Sequence, residues 1–355
     1  LKKGSTMFYG ALLLTGANLA LRLAGMSFQV YLSGRIGAAG VGLLQLVLSV
    51  RMLAFTLGSA GARTCALYLS AEALGRRRSV RPALRGCVWY CLLFALPTAA
   101  GLWGLTPRIA GGWIGDEAAE SALRAFALFL PVSCLNGVMT GLFTAAGRLR
   151  TLVAVEFLEQ GCSIAVTFAL LSCWADGDPA KACLSVALGS SAAGALSLGC
   201  LWLLRQEGSP QGREGRPPWR RVWGLALPVG LADDLRAGLN TIENLIIPRR
   251  LALYAGTVNA MADYGVLHGM VFPVLMFPTA ILASLADLLV AEFSRCSQRR
   301  GQVRVRYLAR QGLRVSWLFG VCAGGAVFAA ARPLGNLLYR SGAAGACLRL
   351  YAPLV

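Results

Sequence analysis

Residues 222–247 read VWGLALPVGLADDLRAGLNTIENLII, and this stretch decides the fold. Eleven of its residues are Leu, Ile or Val, and its length suits one bilayer crossing. Yet it also carries Asp233, Asp234, Arg236 and Glu243. Four ionisable groups near mid-membrane cost about 2.5–3.5 kcal/mol each, on the order of 12 kcal/mol together. The aliphatic residues return only about 5 kcal/mol. Such a helix cannot face lipid all round. At about 100° per residue, Asp233, Arg236, Asn240 and Glu243 fall in a stripe roughly 80° wide, so one face is expected to point into a wet interior. The competing reading is a structural Asp–Arg pair that seals two helices.

The rest of the chain has the same character. Of 355 residues, 56% are hydrophobic and only 14% charged, with mean hydropathy +0.61. Soluble domains run about 25% charged, so a soluble globular protein, a disordered tail and a disulfide scaffold are excluded. Apolar runs at 8–33, 40–69, 84–105, 121–147, 151–174, 182–204, 222–247, 264–293 and 312–331 read as membrane helices. A tenth begins near 343, and the end at Val355 inside an apolar run is read as a chain whose C-terminal helices are missing. The class is all-α, a polytopic membrane protein.

The net charge of +18 is placed on alternate loops. Lys2 and Lys3, the cluster Arg76 to Arg85, Arg148 and Arg150, Arg205 to Arg221, and Arg295 to Arg314 hold 21 of the 34 basic residues, against seven on the opposite loops. The positive-inside rule then puts the N-terminus in the cytoplasm. Anionic membrane lipids are expected partners of these loops, and nucleic acid is not. The eleven cysteines lie mostly in apolar runs, where a thiol packs as a small hydrophobe. No phosphate-binding P-loop, no H-E-x-x-H and no multi-histidine set is present, so no metal, no cofactor and no catalytic group is expected.

Polar stripes recur elsewhere. Asn18, Arg22 and Gln29 share a face of span one, and Gln45, Ser49, Thr56, Ser59 and Arg63 a face of span two. Glu156, Glu159 and Gln160 line the start of span five. We take Arg22, Arg63, Asn18, Gln29, Arg236 and Asn240 as candidate substrate-binding residues, and Glu159, Asp233 and Glu243 as cavity acids or coupling sites. Cations concentrated in spans one and two point to an anionic substrate, and arginine forks match phosphate or diphosphate.

The halves also echo one another. Gly42 aligns with Gly265, and Gln45 with His268, each after an outer turn. The segment RQEGSPQGREGRPPWRR at 205–221 reads as a flexible cytoplasmic linker. The expected organisation is therefore an N-terminal lobe of six helices at 1–205, a basic linker at 206–221, and a C-terminal lobe at 222–355 that is truncated after four helices. Internal repeats are a transporter habit, with the substrate held between them.

Several motifs carry a resemblance. Arg22-Leu23-Ala24-Gly25, Gly40-Val41-Gly42-Leu43, Ser70-Ala71-Glu72, Gly141-Leu142-Phe143, Glu159-Gln160 and above all Thr241-Ile242-Glu243-Asn244-Leu245-Ile246-Ile247-Pro248-Arg249-Arg250-Leu251 occur in order. With Tyr264-Gly265-Val266-Leu267, this resembles the polysaccharide-exporter branch of the multidrug/oligosaccharidyl-lipid/polysaccharide (MOP) flippase superfamily, most closely its stage V sporulation protein B group. The resemblance implies a MATE-like fold of twelve to fourteen helices in two pseudo-symmetric lobes around a central cavity. Glu243 stands where the family usually has aspartate, Ser163 replaces a span-five arginine, and Phe28 replaces a span-one arginine of the lipid II flippases. The span-one aspartate of sodium-coupled exporters is absent.

Together these readings imply a non-enzymatic flippase. It would move a polyprenyl-diphosphate-linked sugar, a polysaccharide or peptidoglycan precursor, by alternating access, with envelope-synthesis enzymes as further partners. The alternatives are a cation-coupled multidrug exporter of the same fold and a non-transporting scaffold of an envelope-synthesis complex.

Overall fold

The computed structural model describes residues 2–75, 79–174, 178–205, 219–254, 260–279, 281–282 and 302–354. They form helices, with no strand among the described residues. In lipid every backbone N–H and C=O must be satisfied within its own segment, which is why apolar runs of this length become helices. Among the described residues, seven helical stretches are long and apolar enough to cross a membrane: Gly16–Ser59, Arg81–Ile114, Ala119–Ala145, Leu149–Trp174, Pro179–Leu204, Ala260–Thr279 and Arg306–Tyr339. The protein is multi-pass.

The elements are α1 (Lys2–Ser59), α2 (Ala62–Gly75), α3 (Arg81–Arg108, continuing as a π-helical turn Ile109–Ile114), α4 (Ala119–Ala145), α5 (Leu149–Trp174), α6 (Pro179–Leu204) and α7 (Trp219–Tyr254). They are followed by α8 (Ala260–Tyr264, continuing as a π-helical turn Gly265–Val271 and as helix over 272–279), α9 (Gln302–Tyr339) and α10 (Gly342–Tyr351). The sequence predicts spans one and two as separate helices joined by a short outer loop. Two helices do meet there, and the turn between them is a kink at Gly37, at φ 70° and ψ 177°, a conformation open to glycine. Span two in turn, expected unbroken to residue 69, breaks at Ala60 and Gly61, both left-handed at φ 42° and 73°. Span nine is longer than the apolar run at 312–331, because polar and basic turns at both ends remain helical.

The chain divides into two compact units, residues 1–42 with 261–355, and residues 43–260. The linker expected at 206–221 lies, up to residue 218, outside the described residues.

In the 43–260 unit, α4 packs against α2, α3 and α6, and α5 packs on α6. Lipid tails are as apolar as the helices, so association depends on close packing, and small residues supply it. Gly141 of α4 takes the α2 backbone at Arg63 so closely that a Cβ there would collide with the Arg63 carbonyl and lie 3.2 Å from the Leu67 nitrogen. Helix α6 begins at Asp178, whose carboxylate accepts from the Ala180 N–H at 3.0 Å, with Pro179 as first helical residue.

The same unit includes α7. Its packed face is Val222, Ala226, Gly230, Ala237, Thr241 and Pro248, repeating mostly every three or four residues. At the Ala60–Gly61 break the backbones meet: a Cβ on Gly230 would lie 2.6 Å from the Ala60 carbonyl carbon. Tyr90 Oη donates to the Ala60 carbonyl at 3.1 Å, and its ring meets Trp223 edge-on at 5.2 Å. This bond and this crossing compensate the cost of placing alanine in the left-handed region, about 1–2 kcal/mol.

In the unit of residues 1–42 and 261–355, Val266, Met270, Val271, Val274 and Leu275 form a core with Val327, Ala331, Ala344 and Leu348. Here Gly42 and Gly265, aligned as repeat equivalents in the sequence, touch each other. A Cβ on Gly265 would lie 2.8 Å from the Gly42 nitrogen and 2.9 Å from the Ala38 carbonyl carbon.

Candidate functional site

The richest polar cluster lies in the 43–260 unit, where α1, α2, α4, α5 and α6 each contribute. Asn136, one amide in the apolar run of α4, donates from Nδ2 to Glu159 Oε2 at 3.3 Å. Its Oδ1 accepts from Ser197 Oγ of α6 at 3.3 Å. Glu159 therefore has a hydrogen-bonded amide partner on another helix. Arg51, half-buried like Glu159, stacks its guanidinium 4.8 Å over the Phe126 ring and feels the field of Glu159.

Arg63 stands beside this group. The Gly141 seam fixes its backbone, and its Cβ would sit 3.8 Å from a Cβ on Gly137, so its stem leaves α2 toward α4. Its side chain is exposed, and Glu156 of α5 is close enough to feel its charge. Among the described residues no ion pair neutralises Arg63. A guanidinium on a membrane helix is costly in hydrocarbon, so an exposed one without an ion pair needs water or an anion.

The α7 stripe is a second surface. Asp233, Arg236, Asn240 and Glu243 are all exposed. Asp234, one residue away, is half-buried. Two other polar residues of α7 hold it in place: Thr241 Oγ1 donates to the Ser49 carbonyl at 3.2 Å, and Asn244 Nδ2 to Ser49 Oγ at 2.9 Å. Ser49 is thus committed to α7. Among the described residues, no hydrogen bond or ion pair joins the α7 stripe to the Arg63 and Glu159 group. At one end Arg221 pairs with Glu72 at 2.9 Å; at the other Arg249 donates to the carbonyls of Gly112 and, at 3.0 Å, Trp113.

In the other unit, Asn18 and Arg22 are exposed on α1. Gln29 is half-buried and donates from Nε2 to the Gly269 carbonyl at 2.8 Å, so its amide is partly committed to holding α8. His268 stacks on Tyr264 at 4.4 Å and meets Phe272 edge-on at 4.8 Å. Sequence reasoning missed Asn136 and Ser197. A lone asparagine in the apolar run of span four was the available signal, since a buried amide in a membrane needs partners.

This arrangement of helices belongs to a known architecture. Residues 14–169 match the MatE family model. The chain carries a MatE family domain. That domain includes Arg22, Arg63, Asn136 and Glu159 but not α7. Over 98% of its length the chain is 23% identical to Stage V sporulation protein B of Bacillus subtilis (strain 168), covering 70% of that protein. The fold matches an inward-facing multidrug resistance MATE family transporter of the MOP superfamily at TM-score 0.73 and 16% identity, over 94% of this chain and 76% of that one. It also matches a MOP superfamily transporter from Pyrococcus furiosus at TM-score 0.68 and 15% identity, over 98% and 77%. Residues 14–169 thus carry the similarity to the MatE family, and the fold is MATE-like, helical throughout the described residues.

Proposed function

We propose that this transporter is a flippase that moves a polyprenyl-diphosphate-linked sugar across the bacterial cytoplasmic membrane by alternating access. The observation that carries the reading is Arg63: an exposed guanidinium without an ion pair among the described residues, beside hydrogen-bonded carboxylate and amide groups of α4 and α5. A planar fork of donors suits a diphosphate better than it suits a lipophilic cation. A sugar headgroup cannot cross about 30 Å of hydrocarbon unaided, so a wet path with fixed charge is the physical requirement. The likeness to Stage V sporulation protein B supports a role in sporulation.

The second reading is a cation-coupled multidrug exporter. The exposed acids Asp233 and Glu243 on α7 favour it, since carboxylates attract cations. The two separate by ligand-induced stabilisation of purified full-length protein. At about a hundredfold over Kd a ligand adds about 2.7 kcal/mol. The flippase reading expects this from a polyprenyl diphosphate sugar and not from the unphosphorylated polyprenol. Stabilisation by lipophilic cations alone would favour the exporter.

The orientation belongs to the same proposal, with the N-terminus in the cytoplasm. Thiols engineered in 106–120 and 248–263 should react with an impermeant reagent from outside intact cells. Thiols in 206–220 and 295–310 should react only after permeabilisation. Labelling of the latter pair from outside would invert the topology.

A further inference from the structure

A pocket of about 380 Å³ in the 43–260 unit lies apart from the residues above. It is formed by the first turns of α3 and the end of α6, and Arg81, Arg85, Trp89, Trp202 and Arg205 line it. Its size is at the lower end of small-ligand pockets, about 300–1,000 Å³.

We infer that this pocket binds the phosphodiester headgroup of an anionic membrane lipid. Four features converge on it. Three guanidiniums concentrate positive charge in one small space, and Arg205 is oriented by lying 3.8 Å over the Trp202 ring. The N-terminus of α3 contributes the positive end of its dipole, with Arg81 as its first residue. At the end of α6, Arg148 Nη1 donates to the Leu204 carbonyl at 2.9 Å, which satisfies an acceptor that would otherwise repel the phosphate. The fourth feature separates a lipid from a free anion. Leu84, Val88 and both tryptophan rings supply apolar lining, and Trp202, Leu203 and Leu204 are exposed. Tryptophans mark the headgroup level of a bilayer, and exposed leucines next to them offer a bed for acyl chains. A pocket that combines clustered charge with a greasy lining fits an amphiphile. In the proposed orientation it opens to the cytoplasmic leaflet, where anionic lipids hold basic segments. The inference does not depend on which substrate is transported.

Native mass spectrometry of delipidated full-length protein tests it, with phosphatidylglycerol and phosphatidylcholine added back separately. The expected result is one tightly held phosphatidylglycerol per chain. The variant R81Q/R85Q/R205Q should weaken it about a hundredfold, and R85Q alone about tenfold, while phosphatidylcholine adducts stay unchanged. The single variant keeps the test decisive if the triple variant does not fold. Phosphatidylglycerol retention equal to wild type in R85Q and in any folded triple variant overturns the site. Inorganic phosphate and water-soluble glycerophosphoglycerol form the second arm. They should displace the lipid only at large excess; displacement by inorganic phosphate at concentrations equal to the lipid would make this a free-anion site and overturn the lipid assignment.

Discussion

Arg63→Ala is expected to leave the full-length protein folded and inserted while its affinity for a polyprenyl diphosphate sugar falls at least about tenfold and flipping is lost. Charge-assisted hydrogen bonds contribute about 1.5–3 kcal/mol each, and about 1.4 kcal/mol is a factor of ten. Folding should survive because Arg63 makes no ion pair among the described residues and its side chain is exposed. What Gly141 packs against is the Arg63 backbone, which alanine keeps. Arg63→Lys should restore part of the activity, since a point charge lacks the bidentate geometry. Arg22→Ala, another exposed cation on a membrane helix, is expected to lose transport for the same chemical reason. Detergent-extraction yield and a thermal melt report folding. Normal transport by both alanine variants would make these arginines structural.

Gly265→Val is expected to do the opposite, removing the folded protein rather than its activity. The atoms that a side chain would meet at Gly265 are the backbone of Ala38 and Gly42, which cannot swing aside as a side-chain end can. Overpacking a well-packed interior costs about 1–3 kcal/mol even when side chains can yield, so valine here should exceed that range. Gly101 supplies the contrast: a Cβ there meets nothing within 4 Å, and alanine should raise helix stability by about 0.5–1 kcal/mol. Thermal midpoints and monodispersity of the two variants in detergent measure the difference. A folded Gly265→Val protein with wild-type melting would mean that the helices do not cross at this pair.

The fold class was legible because apolar runs long enough to span a bilayer have few alternatives, and α3 to α6 lie close to their expected bounds. The spacing of Asp233, Arg236, Asn240 and Glu243 puts them on one face at about 100° per residue, while their exposure is shared by Leu231, Leu235, Leu239 and Ile242 between them. The break at Ala60–Gly61 was not legible, because glycine and alanine are ordinary inside membrane helices and only tertiary contacts decide which one bends. The same limit applies to partners. Nothing in the spacing says that Ser49 would serve α7, that Asn136 would hold Glu159, or that Gln29 would bond α8. The pairing of Gly42 with Gly265 was visible as a repeat, but their mutual contact is a property of the folded unit.

The most direct measurement is translocation in sealed proteoliposomes holding the full-length protein and a fluorescent polyprenyl-diphosphate sugar, with an impermeant reductant quenching the label on one leaflet. The account predicts that wild-type protein exposes nearly all of the labelled lipid to the reductant, whereas Arg63→Ala protein leaves the inner-leaflet fraction protected as in empty vesicles. Protection of that fraction by wild-type protein, together with uptake or efflux of a lipophilic cation in the same vesicles, would contradict it.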